Sequence, residues 1–569
     1  MFYNTLRVLS QSRRNQRRFY GLDRQGSEGS FRHMENLCAD GFPALQTRPF
    51  RTVAAQLARP NGLTAKDALI WVDGNTLYVG GEATGLVLSD SPKQLVSMGA
   101  YLLIWPDKQW INTADLSQFG SMENTVTTDG TVRFSLCRAD GTDYEGYLIS
   151  DAAPAEAQVG TLWLDTSGDA PQLKRSGDGE WVAVVDTCIK LSAVGIGIGF
   201  AAGDGVEIRG CGDENLNGSF VLRQVSDHAL VVDGILSGES SQSEAVTVSR
   251  TVPDMDYVTE CGNRIWGCKY GIVDGRAVNE IYASKLGDFK NWRCYEGLST
   301  DSYTAQRGSD GVFTGCCAYL GYPLFFKENC IEKVYPSAGG AHQIVTLECS
   351  GVQRGSEKSV QAVDGTLYYH GVGGVYAFDG SLPVNIAQKL PYVGCTDGVG
   401  GGWQGRYYLS IRDGEGAQHL LVYDASRGMW HREDDTRAVG FACRGGDIFC
   451  LREDGALLSL RGGAETEENF TWCAETGELG LDVPQHKYLR TMAINAQPAA
   501  DGYLIAYASY DQGRTWEKQG QLFGRGFMQG ALLYLHPRRC HHLRLKLEGV
   551  GGCTVYGVSA VYEKGSEVT

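Results

Sequence analysis

The chain has 569 residues, a formal charge of −16, 75 glycines and 28 tyrosines against 15 prolines and 8 methionines. That length exceeds a single compact core, and the charge excludes a surface that binds nucleic acid throughout, because such binding neutralises phosphates with Lys and Arg. The glycine and tyrosine content predicts short strands and tight turns rather than long amphipathic helices.

Residues 1–65 read as an extended basic leader. Its first 60 residues hold ten arginines, no lysine and four acids, a net of +6 that leaves −22 for the rest. The run Ser12-Arg13-Arg14-Asn15-Gln16-Arg17-Arg18 concentrates this charge, and Arg13, Arg14, Arg17 and Arg18 are the expected contacts to an acidic docking surface or a DNA end. The first residues lack the apolar run of a secretion signal, and no stretch of the sequence is long and apolar enough for a membrane-spanning helix.

From Ala68 a turn pair followed by an aromatic-rich strand begins to recur. It appears as Asp73-Gly74-Asn75-Thr76-Leu77-Tyr78, Asn263-Arg264-Ile265-Trp266, Asp364-Gly365-Thr366-Leu367-Tyr368, Gly405-Arg406-Tyr407-Tyr408 and Gly446-Asp447-Ile448-Phe449. The last three lie about 40 residues apart, the spacing of four-stranded propeller blades. The predicted fold is therefore all-β: a β-propeller with an inserted small β-domain and a C-terminal β-sandwich. First blades are expected over 66–136, the insertion over 137–252, the remaining blades over 253–462 and the sandwich over 463–569, with a blade count between about five and seven. The acidic run Glu465-Thr466-Glu467-Glu468 marks the last boundary. Within the insertion, Trp163 and Trp181 are expected to pack together, and Asn217-Gly218 to turn a hairpin.

Ser509-Tyr510-Asp511-Gln512-Gly513-Arg514-Thr515-Trp516 matches the Asp-box hairpin turn, in which Ser509, Asp511, Gly513 and Trp516 serve folding rather than catalysis. Cys540-His541-His542 puts three potential metal ligands in a row, but neighbouring side chains on a strand point to opposite faces, so no metal site is expected. Gly195-Ile196-Gly197-Ile198-Gly199 lacks the Lys-Ser/Thr pair and helix of a phosphate loop. Asp434-Asp435 reads as a solvated turn, and the 17 cysteines read as buried reduced thiols. No catalytic residue and no cofactor site is expected.

Three passages add a likeness. Asn263-Arg264-Ile265-Trp266 is followed by Glu280-Ile281-Tyr282-Ala283-Ser284-Lys285-Leu286-Gly287-Asp288-Phe289-Lys290-Asn291-Trp292, then by Phe325-Phe326-Lys327-Glu328-Asn329-Cys330-Ile331-Glu332-Lys333-Val334-Tyr335. Behind a Pro-containing leader, and ahead of a C-terminal strand Arg544-Leu545-Lys546-Leu547-Glu548, they resemble the propeller of tail nozzle or head-completion proteins of short-tailed bacteriophages, outside the 137–252 insertion. The resemblance implies a structural virion protein, assembled in the host bacterial cytoplasm. It implies a homo-oligomeric ring, usually of six copies, below the portal and adaptor proteins, meeting tail fibres or other tail proteins, retaining the packaged genome and passing phage DNA through a central channel during ejection. An acidic channel wall suits that role, since like charge lets a duplex slide. The alternative is a tail-tip receptor- or glycan-binding propeller, with Trp163, Trp181 and Trp403 stacking on sugars. A propeller glycosidase, motivated by the Asp-box alone, is the third reading.

Overall fold

The computed structural model describes residues 11–337, 339–462, 467–481, 486–525 and 531–564. The chain is all-β, with two single-turn 3-10 segments as the helical elements among the described residues. It divides into two compact units, one of residues 1–93, 326–331 and 347–569, the other of 94–325 and 332–346.

Seven four-stranded sheets of blade type occur among the described residues. In the first unit, blade 1 is Pro60–Ala65, Leu69–Asp73, Thr76–Val79 and Glu82–Val87. Blade 5 runs from Gln361–Val363 to Val384–Asn385, and blade 6 from Thr396–Trp403 to Met429–Arg432. Blade 7 is Ala438–Arg444, Asp447–Arg452 and Ala456–Ser459, with Thr52–Gln56 from the opposite end of the chain as its fourth strand. The second unit holds blade 2, from Gln94–Met98 to Phe119–Ser121, and blade 3, from Tyr257–Glu260 to Tyr303–Gln306. Most of blade 4 also lies there, from Gly315–Tyr319 to Gln343–Glu348.

Each recurrent turn-strand phrase falls on a tight turn inside a blade. Asp364-Gly365, with φ of 47° and 79°, joins Gln361–Val363 to Thr366–Gly371, a left-handed pair that suits the strand twist. On the strands after the turns of blades 5, 6 and 7, Leu367, Tyr369, Tyr407, Tyr408, Ile448 and Cys450 are essentially inaccessible. Gly401 on Thr396–Trp403 is required by close approach, because a Cβ there would sit 2.6 Å from Phe441 of blade 7.

The C-terminal unit is a two-sheet sandwich, but half of one sheet comes from the N-terminal segment. Gln11–Gln16 pairs with 558–563 of the last strand, and Leu45–Thr47, itself paired to Leu37–Cys38, continues the same sheet. Phe31–Glu35 edges the facing sheet by pairing with 473–476. Phe19, Leu22, Phe31, Met34, Leu37 and Leu45 share one buried cluster with Trp472, Met492, Leu504 and Leu547. The expected extended leader is therefore corrected. Residues 11–47 are sandwich, 52–56 complete blade 7, and 60–65 open blade 1. Gln11–Gln16 has no apolar residue and Phe31–Glu35 buries only Phe31 and Met34, so neither carries a clear strand pattern.

The insertion also begins earlier than expected. Asn124–Thr127 and Val132–Cys137 belong to an eight-stranded sheet whose edge strands are Asn124–Thr127 and Ser240–Gln242. Val132 and Phe134 near one end of that sheet share a core with Val246 and Val248 near the other, so the sheet curls around a single centre. A smaller sheet, from Leu148–Ser150 to Trp181–Ala183, is nested between Val132–Cys137 and Cys188–Ser192. Trp163 and Trp181 meet edge to face there, 5.2 Å apart. Asn217-Gly218 does not turn a two-residue hairpin, because a 3-10 turn, Glu214–Leu216, precedes it.

The insertion is held to blade 3 by a buried polar knot. Asp204 pairs with Arg250 and accepts from Asn291 Nδ2 (2.9 Å), while Asn291 Oδ1 accepts from Gly205 N (2.8 Å). The resemblance phrase Gly287-Asp288-Phe289-Lys290-Asn291-Trp292 is thus the seat of the insertion, not a channel feature in itself. Gly197 likewise has a packing role, since a Cβ there would lie 1.9 Å from Ser226 O.

Candidate functional site

The densest chemistry among the described residues of the first unit lies where the N-terminal segment crosses blades 6 and 7. Arg51, 5% exposed, donates to Glu433 (2.7 Å), Asp434 (2.6 Å) and Thr436 Oγ1 (3.0 Å). Arg48 forms a two-pronged pair with Glu467 (2.8 and 2.6 Å) and donates to Asn36 Oδ1 (2.7 Å). Arg461 reaches Asp40 (2.6 Å), Glu433 (3.4 Å) and the Tyr408 hydroxyl (2.6 Å), and Arg406 also pairs with Asp40. Cations and carboxylates from five chain segments thus neutralise one another, with Arg48, Arg51, Arg461 and Glu433 buried, which welds the N-terminal segment in place.

Asp434 is accordingly not the solvated turn residue expected. Burial pushes its carboxyl up, but the Arg51 guanidinium overrides this and holds it at about 2. A folded pKa below the unfolded value near 3.9 contributes stability that is present above that value and lost as pH falls through about 2, on the order of 2 kcal/mol in all. The melting temperature of Asp434→Asn is expected to be less sensitive to pH between 5 and 2 than that of the native chain, by about this amount, as read by calorimetry across that range. Asp435 is exposed.

Two histidine clusters look reactive and are not built for it. His419 Nε2 contacts Asp413 (2.7 Å), as in an acid–base dyad, but its Nδ1 accepts from Arg432 Nε (3.1 Å) and Tyr392 stacks on the ring. Both ring nitrogens are engaged. Ser356 Oγ lies 3.0 Å from His370 Nδ1, yet Ser356 is fully buried and also accepts from Gly398 N (2.9 Å), while burial lowers His370 to about 4. A serine with no route to substrate is a packing hydroxyl. Neither pairing was read from the sequence: Asp413 lies in the turn ahead of His419, and Ser356 precedes the 3-10 turn Glu357–Ser359 while His370 lies on strand Thr366–Gly371.

The Asp-box forms the expected closed turn. Ser509 Oγ donates to Asp511 (2.8 Å) and accepts from Gly513 N (2.8 Å); Asp511 accepts from Thr515 N (2.9 Å) and Oγ1 (2.6 Å). The hydrogen bonds from Thr515 hold the Asp511 carboxyl at about 2, and Trp516 lies 3.6 Å from the Cβ position of Gly513. Beside it a recess of about 320 Å³ is lined by Glu478, His486, Tyr510, Arg539, His541 and Arg544. Cys540 is buried and its N–H bonds Lys487 O (3.3 Å), while the His541 ring stacks on His486. No group of three metal-ligating side chains occurs among the described residues.

The three tryptophans of the glycan reading are differently placed. Trp163 is buried under Trp181 and Lys174, which leaves it no open face. Trp181 is half-buried. Trp403 donates to Gly446 O (2.9 Å), with the guanidinium groups of Arg461 and Arg406 5.2 and 5.8 Å from its ring. The arginines keep more of their expected character. Arg13, Arg17 and Arg18 are exposed on or just beyond strand Gln11–Gln16, whose outer edge carries no partner strand among the described residues, while Arg14 is half-buried and pairs with Glu28. The sequence thus located this strip, but as a loose tail rather than a sheet edge.

The blades, insertion and sandwich define the class: an all-β propeller protein with an inserted small β-domain and a C-terminal β-sandwich. No protein-family model and no curated protein matches the chain. Among solved structures, BamB from Moraxella catarrhalis is similar at 12% identity, covering 72% of this chain and 97% of that one, with a TM-score of 0.31. An exo-beta-1,3-galactanase from Phanerochaete chrysosporium covers 53% and 95% at 8% identity and a TM-score of 0.22. The extracellular domain of the putative hybrid two component system BT4673 from B. thetaiotaomicron covers 92% and 98% at 9% identity and a TM-score of 0.22. The sheets themselves, not these likenesses, define the class.

Proposed function

We propose that this chain is a structural, non-catalytic subunit of a bacteriophage tail, of the nozzle or connector type. In this role it forms a homo-oligomeric ring that docks below the portal and adaptor proteins and passes DNA at ejection. The observation that carries the reading is the exposed arginines Arg13, Arg17 and Arg18, on or just beyond a strand locked into the sandwich whose outer edge has no partner strand among the described residues. A rigid, basic sheet edge on an acidic body is a docking element, able to add backbone hydrogen bonds to charge attraction. The sequence resemblance supplies the identity of the partner, and the interlocked termini supply the stiffness a conduit wall needs.

Replacing Arg13, Arg17 and Arg18 together by Glu is expected to leave the melting temperature within a few degrees, as exposed substitutions do, and to abolish incorporation into particles. The test is electron microscopy of particles from a phage genome carrying the gene. Without the gene, heads that fill and then lose DNA are expected. Complete, DNA-filled particles that fail only to adsorb to cells would overturn the reading in favour of receptor binding.

A further inference from the structure

Cys137 ends strand Val132–Cys137 and Cys188 begins strand Cys188–Ser192, and the two are direct partners across the antiparallel pair. Between them in sequence lies the whole excursion 138–187, with its nested sheet and the exposed apolar residues Leu148, Ile149, Val159, Val182 and Val185. The pair therefore sits at the neck of that excursion. Both side chains are buried in one small cluster with Val231.

The hydrogen-bond pattern fixes the kind of pairing. Arg138 N donates to Thr142 O (2.9 Å) and Tyr144 N to Leu136 O (2.9 Å), so Leu136 and Arg138 face 142–144 and Cys137 faces the other way, toward Cys188. Thr187 O accepts from Gly234 N (3.5 Å) and Ala193 N donates to His228 O (3.0 Å), which leaves Cys188 facing Cys137. This is a hydrogen-bonded cross-strand pair, whose Cα atoms stand about 5.5 Å apart, within the span of disulfides. Its Cβ atoms stand about 5 Å apart, wider than the ~3.8 Å a disulfide prefers, so a bond must draw the strands inward.

We propose that Cys137 and Cys188 form a reversible thiol-oxidation site, which closes the neck of the 138–187 excursion with a disulfide when the protein passes from reducing to oxidising solution. The two thiols lose two protons and two electrons as the S–S bond forms. A low-molecular-weight disulfide accepts them through a mixed disulfide and leaves as two thiols. Cys137 lies between Cys188 and Asp143, and Cys188 between Cys137 and Asp233, so whichever thiol opens first attacks the low-molecular-weight disulfide as its thiolate and the other resolves the mixed disulfide. Burial raises both thiols, Cys137 to about 12 and Cys188 to about 11, so oxidation is slow in the closed state and paced by opening of the neck. The inward draw makes the bond easier to reduce than a relaxed structural disulfide. None of this rests on the proposed function.

The test is to treat the full chain with excess oxidised glutathione, block remaining thiols with N-ethylmaleimide after unfolding, digest with trypsin without reduction and read the peptides by mass spectrometry. The expected product joins 134–138 to 176–190, two hydrogens lighter than the separate peptides, and millimolar reduced glutathione restores both thiols in the folded protein. Cys188→Ala should abolish that product without creating a new link to Cys137. Full alkylation of both cysteines after oxidation, or a bond from either to another cysteine, would overturn the proposal.

Discussion

A chain that begins at Lys66 is expected to lose cooperative folding and to aggregate on expression. Such a truncation removes the outer strand of blade 7, the first strand of blade 1 and the strands that the N-terminal segment lends to both sandwich sheets. Thr52–Gln56 covers Ala456–Ser459, and Gln11–Gln16 covers six residues of the last strand, so two sheets would present unpaired edges to solvent. Phe19, Leu22, Phe31, Met34, Leu37 and Leu45 would also leave the core that Trp472 and Leu504 need. A single probe isolates that contribution. Phe31, 1% exposed, packs between the sheets, and Phe31→Ala is expected to cost about 3–5 kcal/mol through lost burial and the cavity left behind. Circular dichroism melts of both proteins provide the check. A truncated chain that melts cooperatively near the native temperature would show that the N-terminal strands are appended to the fold rather than part of it.

The second large effect is expected at Arg51. Arg51→Ala leaves Asp434 without its paired guanidinium and Glu433, 3% exposed, with only the longer contact to Arg461 (3.4 Å), and breaking a buried pair from one side costs about 3–5 kcal/mol. Arg51→Lys should recover only part of this, because an ammonium cannot present two separate N–H arms to two carboxylates. Denaturant midpoints at constant slope measure the loss. A change below ~1 kcal/mol for Arg51→Ala would mean that the network is solvated and contributes no more than a surface pair.

The blades were legible because their turns carry a chemical signature. Asp364-Gly365 and Gly405 adopt positive φ, and the strand after each buries two consecutive tyrosines, Tyr368 and Tyr369 or Tyr407 and Tyr408, so turn and strand announce each other. Blades 2 and 4 turn between their first two strands at Gly99-Ala100 and Leu320-Gly321, which lie outside the recurrent phrases. Asp73-Gly74-Asn75 introduces the third strand of blade 1 rather than the second, which placed the start of that blade too late. The N-terminal strands were hidden for another reason. Gln11–Gln16 has no apolar residue, and its pairing with 558–563 is fixed by a partner more than 500 residues away. The Arg51 network was unreadable on the same ground, since Glu433 and Arg461 acquire their meaning only when the N-terminal segment crosses them. By contrast the Asp-box, a local device, was readable residue by residue.

The proposed function requires copies of this chain to assemble into a closed conduit. Mass photometry and negative-stain imaging of the purified full-length protein test it most directly. Closed rings of a single copy number, with a lumen about as wide as duplex DNA, are expected. Monomers that persist as concentration rises, together with specific binding on a glycan array, would contradict it.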